Sequence, residues 1–177
     1  MARAVFLDRD GVINHVVERD GRMVSPRTLE DFELFEGVTE AARILRSAGY
    51  AIYVVTNQPD IARGHLSQDT LDEMLAQVRA AIEPDEIVVC DHDDHHQCAC
   101  RKPKPGMLLD LGERHGLDLS ACFFVGDSYK DMDAGRAAGV PTVLIRREDN
   151  RKTSGDYEAE SLLSAAHLIA SLAGHEE

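Results

Sequence analysis

The stretch AVFLDRDGVIN, residues 4–14, decides the fold class, because a continuous apolar run ends in two closely spaced carboxylates. An apolar run without alternation indicates a strand that is buried on both faces. Four later runs have the same character: YAIYVVTN (50–57), EIVVCDH (86–92), CFFVGD (122–127) and PTVLI (141–145). The sequence therefore predicts five strands of a mainly parallel sheet.

Helical patterns separate these strands. We predict helices over 39–49, 67–82, 106–116, 131–139 and 158–173, with Ser67 as the N-cap of the second. Strands alternating with helices favour a doubly wound, Rossmann-like α/β fold with right-handed crossovers. We expect one domain over residues 1–177 without a separate cap domain. Turn signals at Asp20-Gly21 and Ser25-Pro26 predict a small flap or hairpin within residues 14–36.

The charge balance restricts the class of ligand. The formal net charge is −13, which argues against binding nucleic acid or an anionic membrane through bulk electrostatics. A small anion is still possible if local cations reverse the field in one cleft. Apolar runs fall short of the roughly 20 residues of a membrane span, and the N-terminus lacks a signal peptide pattern. We therefore expect a cytoplasmic protein, and a monomer.

The polar residues at the strand ends predict one site. In a doubly wound sheet, ligands bind beyond the carboxyl ends of the strands, so Asp8, Thr56, Asn57, Cys90 and Asp127 should share one rim. The spacing of Asp8 and Asp10 can direct both carboxylates to one side, where a cation such as Mg²⁺ would offset their repulsion. An ordinary turn is the alternative for this DRDG sequence.

Two further strand ends carry candidate ligand groups. Thr56, Asn57 and Gln58 offer a hydroxyl and amides that can hold a phosphate oxygen, although a plain strand cap explains them equally well. Asp127 ends its strand, and Asp131 follows at the start of a helix, where an ordinary N-cap is the alternative and is compatible with a functional role.

A cysteine cluster precedes a pair of basic residues. Cys90, His92, Cys98 and Cys100 supply the Cys₃His set of a closed structural Zn²⁺ site. His95 or His96 can replace His92, and a polar loop with incidental cysteines is the alternative. A full protein shell leaves no position for substrate, so the metal would hold the loop of about 90–100 that delivers Arg101 and Lys102. The fourth cysteine, Cys122, reads as a small core residue.

The order of these motifs along the chain resembles the haloacid dehalogenase superfamily of phosphohydrolases. The resemblance implies Asp8 as the nucleophile, Asp10 as the general acid/base, and Mg²⁺ held by Asp8, Asp10 and Asp127. It also implies phosphate contacts from Thr56, Asn57 and Lys102, with Asp131 orienting its neighbours. Such an enzyme would hydrolyse a phosphate ester through an aspartyl-phosphate.

The zinc loop, with CRKPKPGM (100–107) and VVTNQPDIARG (54–64), is similar to the heptose bisphosphate phosphatases and their histidinol-phosphatase relatives. In that group Arg101 and Lys102 would contact a phosphorylated sugar, and the enzyme would release the phosphate from C7 of that sugar. Histidinol phosphate and a non-catalytic, zinc-organised binding module are the alternatives. The short His92–Cys98 spacing and Pro59 depart from the group's pattern. Candidate contacts to a second phosphate are Arg19, Arg27 and Arg63, each of which is otherwise a solvated surface residue.

Overall fold

The computed structural model describes residues 2–174, and a six-stranded parallel sheet forms its centre. In chain order, the strands are β1 (Ala4–Leu7), β2 (Val17–Arg19), β3 (Arg22–Val24), β4 (Ala51–Asn57), β5 (Glu86–Cys90), β6 (Phe123–Gly126), β7 (Thr142–Ile145) and β8 (Tyr157–Ala159). Strands β2 and β3 form a separate antiparallel hairpin, and the other six form the sheet. The spatial order is β5-β4-β1-β6-β7-β8. Every neighbouring pair in this sheet is parallel, which confirms the predicted α/β class.

Helices cover both faces of the sheet. They are α1 (Val38–Ser47), α2 (Gln68–Ile82), α3 (Gly106–His115), α4 (Tyr129–Ala138) and α5 (Leu162–Ala173). Successive side chains of β1 point to opposite faces, so Val5 and Leu7 pack with α1, α2 and α5, whereas Ala4 and Phe6 pack with α3 and α4. Burial on both faces explains why the strand sequences are continuously apolar.

The observed elements lie close to the predicted ones, with one strand missed. Ser67 caps α2 as expected, since its Oγ accepts a hydrogen bond from Thr70 N at 3.1 Å. The last helix begins at Leu162 rather than 158, because Tyr157–Ala159 pairs with β7 as an edge strand. None of the helices within residues 2–174 has the length and apolar character of a membrane-spanning helix.

The strand order reverses at β1, which pairs with β4 on one side and β6 on the other. Helices leaving these two neighbours cover opposite faces, and a crevice opens at the carboxyl ends of the strands. The β2–β3 hairpin lies within the predicted flap segment. Its turn is Asp20-Gly21, both with positive φ (50° and 72°), as a tight hairpin turn requires.

Candidate active site

A cavity of about 530 Å³ lies at this carboxyl edge and collects most of the predicted site residues. The predicted residues among its lining are Asp8, Asp10, Asn57, Gln58, Arg27, Arg63, Arg101, Lys102, Asp127 and Asp131. The hairpin and the segment after β7 add further walls, through residues such as Met23, Ser25 and Asn150. The volume suits a small-molecule ligand.

Asp8, directly after β1, presents one free carboxylate oxygen. Its Oδ1 accepts hydrogen bonds from Arg9 N and from Lys102 Nζ, both at 2.8 Å. Its Oδ2 accepts none from the residues in 2–174. Burial raises the pKa of Asp8 to about 7; the charge of Asp131 adds to this effect, and Lys102 opposes it. The arrangement fixes the carboxylate through one oxygen and leaves the other available to a ligand.

Lys102 lies buried between two carboxylates. Its Nζ donates to Asp8 Oδ1 at 2.8 Å, to Asp131 Oδ1 at 2.6 Å and to Val55 O at 3.0 Å. Burial alone would lower the pKa of Lys102, but the charges of Asp131 and Asp8 outweigh it and hold that pKa above its ordinary value. The ammonium therefore stays charged beside the free oxygen of Asp8.

Asp8, Asp127 and Asp131 bring carboxylate oxygens within 4.8 Å of one another, close enough to share a cation. Burial raises the pKa of Asp127 to about 8, and the charges of Asp8 and Asp131 add to it. Asp131 is already engaged, because its Oδ2 accepts from Ser128 N and Oγ at 3.1 and 2.7 Å. Asp8 and Asp127 are thus two buried carboxylates that repel each other when both are ionised. Such a pair is a donor set suited to a hard divalent cation.

Two glycines make this approach of carboxylates possible. A Cβ on Gly11 would lie 1.8 Å from Asp127 Oδ2, and a Cβ on Gly126 would lie 2.3 Å from Asp131 Cβ. Gly11 also has a φ of +84°, which disfavours any side chain. The glycine in D-x-D-G is thus required both by its backbone conformation and by the carboxylate that occupies the space of its side chain.

The carboxylate of Asp10 lies outside this acidic group and is fully occupied. Its Oδ1 accepts from Arg9 Nε and Nη2 and from Asn14 Nδ2, and its Oδ2 from Ser25 Oγ and Gln58 Nε2. Burial would raise the pKa of Asp10, but the charge of Arg9 and these hydrogen bonds outweigh it and hold the pKa below its usual range. As arranged, this side chain has no lone pair left for Mg²⁺, and its role as a ligand stays a prediction.

The side chains of the three polar residues at the end of β4 make hydrogen bonds within the protein. Thr56 is buried, and Gln58 Nε2 donates both to Thr56 Oγ1 at 2.9 Å and to Asp10 Oδ2 at 2.8 Å. Asn57 contacts the main chain of Lys102 through both atoms of its amide, at 3.0 and 3.1 Å. Their side chains thus support Asp10 and Lys102 in this structure, whereas phosphate contacts from them stay predictions.

The candidate arginines divide into two groups. Arg19, on β2, pairs with Asp31 and does not line the cavity, so the structure gives no support for a substrate contact from it. Arg27, Arg63 and Arg101 line the cavity, each with a carboxylate partner. The pairs are Arg27 with Asp60 at 2.7 Å, Arg63 with Asp93 at 2.8 Å and Arg101 with Asp94 at 2.8 Å.

The cysteine cluster brings together Cys90, His92, Cys98 and Cys100, with ligand atoms within 4.8 Å of one another. A zinc ion with bonds of about 2.3 Å to sulfur and about 2.0 Å to nitrogen spaces tetrahedral ligands roughly 3.5–3.8 Å apart. Cys90 Sγ lies 3.7 Å from Cys98 Sγ and from His92 Nδ1, and His92 Nδ1 lies 3.3 Å from Cys100 Sγ. The Cys90–Cys100 separation is shorter, at 3.0 Å.

The structure also distinguishes among the three histidines of this loop. His92 faces the thiols through Nδ1, whereas His96 Nδ1 accepts from Asp93 N at 3.0 Å and completes a capping box in a one-turn 3₁₀ helix. His95 is not in the cluster. Cys122 is fully buried elsewhere in the core, and its Sγ accepts from Ala4 N at 3.2 Å, as expected of a core residue.

Several residues around the site were missed at the level of sequence. Arg9, Asn14 and Ser25 all donate to Asp10. Arg147 donates to Gly11 O, and Asn150 Nδ2 donates to Asp127 O at 2.8 Å. The last two follow β7, so the rule on strand carboxyl ends could have indicated them. The first three carry no comparable signal, since their contacts depend on the folded path of the chain.

The chain is similar to known hydrolases in sequence. The model of the haloacid dehalogenase-like hydrolase family matches residues 14–139. A D-glycero-β-D-manno-heptose-1,7-bisphosphate 7-phosphatase of Pseudomonas aeruginosa is 40% identical over 176 residues, 96% of each chain. The D-glycero-α-D-manno-heptose-1,7-bisphosphate 7-phosphatase of Campylobacter jejuni is 38% identical, over 88% of this chain and 87% of its own.

A solved structure extends the likeness to three dimensions. The D,D-heptose 1,7-bisphosphate phosphatase from B. bronchiseptica, complexed with magnesium and phosphate, has a TM-score of 0.84 and 29% identity. The superposition covers 97% of this chain and 99% of that one. The alignment with the P. aeruginosa relative covers 96% of this chain, which is more than the part matched by the family model.

Proposed function

Because the chain belongs to the haloacid dehalogenase-like hydrolase family, we propose that it removes the C7 phosphate from D-glycero-D-manno-heptose 1,7-bisphosphate. The observation that carries this proposal is the 40% identity to such a phosphatase over 96% of the chain. The cavity supports it, since Asp8 and Asp127, at the ends of β1 and β6, converge there with Lys102. The family membership makes the chain a hydrolase, and the named relatives support phosphatase activity within that class.

The geometry suggests how the side chains divide the work. Asp8 Oδ2, which no donor in residues 2–174 occupies, would attack phosphorus and form an aspartyl-phosphate. Lys102 fixes the other oxygen of Asp8 and offsets charge on the transferring phosphoryl group. Asp10, once protonated in the complex with the substrate, would give its proton to the leaving sugar oxygen and then accept one from the hydrolytic water. Asn57 and Asp131 hold Lys102 in place.

We propose Mg²⁺ as the cation of the acidic group. Asp8 and Asp127 are the side chains best placed to hold it, because Asp131 is engaged by Ser128 and Lys102. The raised pKa values of Asp8 and Asp127 support this, since a cation removes the repulsion that burial intensifies. When bound, the ion would offset the negative charge of the carboxylates around Asp8 and orient a phosphate oxygen.

We propose Zn²⁺ for the cysteine cluster, in a purely structural role. Its four protein ligands would leave no position for substrate. Arg101 and Lys102 follow Cys100 directly, and Arg101 pairs with Asp94 of the same loop. The metal would therefore fix the loop that places these two cations at the cavity.

The rim of the cavity is consistent with a second phosphate on the substrate. Arg27, Arg63 and Arg101 approach it from three segments: the flap, the loop after β4 and the zinc loop. Each guanidinium is paired with at least one carboxylate, which positions it and still leaves donors free in a five-donor side chain. A sugar bisphosphate offers two anionic groups, one for Asp8 and Lys102 and one for this rim.

The test is a comparison of kcat/KM across substrates with Mg²⁺ present. We expect both anomers of the heptose 1,7-bisphosphate to exceed histidinol phosphate and simple sugar monophosphates by at least tenfold. Preference for histidinol phosphate would refute the substrate assignment. A chain that binds these phosphates without releasing inorganic phosphate would instead be the non-catalytic binding module.

We further propose that residues 1–177 form a single phosphatase domain that acts as a cytoplasmic monomer. Helices on both faces of one sheet, joined to a small hairpin, support the single domain. Light scattering on the purified chain tests the monomer, because a dimer would double the measured mass from 19.5 kDa.

A further inference from the structure

Arg9, the residue between the two motif carboxylates, is fully buried, and its charge has one carboxylate partner within residues 2–174. Its guanidinium lies 5.6 Å from the ring centre of Phe32, and Nη1 lies 3.9 Å from Met74 Sδ. Arginine is almost never fully buried unless it is paired. The pairing with Asp10 is therefore the feature that accounts for a guanidinium in this apolar setting.

The contacts of Asp10 separate its two oxygens by environment. Arg9 donates to Oδ1 twice, from Nε at 3.0 Å and Nη2 at 2.8 Å, and Asn14 Nδ2 adds a third bond at 2.9 Å. Oδ2 accepts instead from Gln58 and Ser25, which both line the cavity. Three donors in the protein interior thus hold Oδ1. Because the carboxylate is planar, Oδ2 is then directed toward the cavity.

We propose that Arg9 is a positioning residue for Asp10, and that it makes Oδ2 the oxygen that exchanges protons during turnover. This inference rests on the proposed function. Asp10 Oδ2, once protonated in the complex with the substrate, would give its proton to the leaving sugar oxygen as Asp8 bonds to phosphorus and the bond from phosphorus to that oxygen breaks. It would then take a proton from water as the water oxygen bonds to phosphorus and the bond to Asp8 breaks.

One of the two partners of Oδ2, Ser25, can accommodate this exchange. The Ser25 hydroxyl both donates and accepts, so it can turn to receive a hydrogen bond when Oδ2 carries the proton. Arg9 cannot reverse in this way, because a guanidinium only donates. All three contacts of Oδ1 thus come from N–H donors, whereas Oδ2 has one reversible contact, from Ser25, beside the amide donor of Gln58.

The choice of arginine is specific to this task. Two N–H groups in one plane restrain the rotation of the carboxylate, whereas a lysine ammonium offers a point charge on a flexible stem. Arg9→Lys would keep the charge and lose the paired geometry. Arg9→Met would keep much of the apolar bulk and lose both.

The test uses leaving groups that need protonation to different degrees. Alkyl phosphates such as the sugar substrate need an acid at the leaving oxygen, whereas 4-nitrophenyl phosphate needs little help. We expect kcat/KM of Arg9→Met to fall about a hundredfold on the sugar phosphate and less than tenfold on the aryl phosphate. We also expect a burst of 4-nitrophenol, because slowed hydrolysis of the aspartyl-phosphate would make it accumulate.

Arg9→Lys guards against a folding failure of the methionine variant, and we expect the same selective loss in milder form. Arg3→Met is the matched control, since Arg3 is a structural arginine at the opposite end of β1, stacked on Tyr50. Equal losses on both substrates, without a burst, would mean a merely structural role and overturn this inference alone. No phosphate release by the wild-type enzyme on either substrate would overturn the proposed function itself.

Discussion

The side-chain amide of Asn57 holds the main chain of Lys102 from both sides. Nδ2 donates to Lys102 O at 3.0 Å, and Oδ1 accepts from Lys102 N at 3.1 Å. The end of β4 is thereby joined to the first residues after the zinc loop. Since Lys102 Nζ contacts Asp8, the amide of Asn57 indirectly sets the position of the cation beside the proposed nucleophile.

Replacing Asn57 by Ala should lower kcat strongly and change the free energy of unfolding only a little. We expect a loss of between about tenfold and a hundredfold in kcat, because small displacements of a catalytic group are costly. Steady-state kinetics with the heptose bisphosphate measure this, and zinc content should stay unchanged. Full activity in a folded Asn57→Ala protein would show that Lys102 does not depend on the amide.

Asp8→Asn should abolish phosphate release and leave the fold intact. The amide cannot attack phosphorus, and neutralising one of several buried carboxylates removes repulsion from Asp127 and Asp131. We therefore expect a Tm at pH 8 at least equal to that of the wild type. Asp110→Asn, at an exposed carboxylate paired with Arg114, is the control that should keep activity. Near-normal turnover by Asp8→Asn would refute Asp8 as the nucleophile.

Gly11→Ala and Gly21→Ala form a matched pair at positive φ. Both should cost about 1–2 kcal/mol for the left-handed conformation. Only Gly11→Ala also places a Cβ 1.8 Å from Asp127 Oδ2, whereas nothing lies within 4 Å of a Cβ at Gly21. We expect Gly11→Ala to lose activity and Mg²⁺ affinity, and Gly21→Ala to keep both. Urea unfolding and Mg²⁺ titration of the rate distinguish the two effects.

The stability of the Mg²⁺-free protein should fall as the pH rises from about 5 to 8.5. The folded-state pKa values of Asp8 and Asp127 are raised from 3.8 to about 7 and about 8. Their stabilising contribution is therefore complete below pH 3.8 and is lost as the pH rises through 7 and 8. The lowered pKa of Asp10 acts at more acidic pH, outside this window.

Added Mg²⁺ should reverse this loss, since it favours the ionised carboxylates. We expect the increase in Tm on adding Mg²⁺ to be a few degrees larger at pH 8.5 than at pH 5.5. Scanning calorimetry on protein that retains zinc but has been dialysed free of Mg²⁺ provides the measurement. An Mg²⁺ effect that is the same at both pH values would contradict the assignment of the ion to Asp8 and Asp127.

Cys98→Ser should lose bound zinc and most activity, whereas Cys122→Ser should keep both. Cys98 belongs to the four-residue cluster, and Cys122 lies apart from it in the core. A serine at 122 still offers an acceptor to Ala4 N. Elemental analysis should find one zinc per wild-type chain. An Mg²⁺-activated, zinc-free wild-type enzyme with full activity would show that the cluster does not support the site.

The sequence was sufficient for the parts of the fold that local pattern controls. Five central strands are continuously apolar because helices cover both faces of the sheet, and this leaves a clear signal. The edge strand β8 was missed because it has only three residues, with the polar Glu158 in its middle. Its pairing with β7 comes from tertiary context, which propensity does not record.

Part of the candidate site could be predicted from the sequence for the same reason. Asp8 and Asp127 could be placed together because both end buried parallel strands. The support given by Arg9 to Asp10 could not, since an arginine between two aspartates reads as a solvated charge until its burial is known. Arg19, a candidate for a substrate contact, pairs with Asp31 and does not line the cavity, and sequence does not reveal which side of a short hairpin faces a cavity.

The central position of β1 has a consequence for the synthesis of the chain. Val5 pairs with Ile52 on one side and with Phe123 on the other, so the second neighbour emerges from the ribosome long after β1 itself. Until then, an apolar strand has an unpaired edge, which is a risk for aggregation during folding. Chains that terminate before β6 should therefore depend on chaperones for solubility, and the appearance of phosphatase activity would mark completion of the whole sheet.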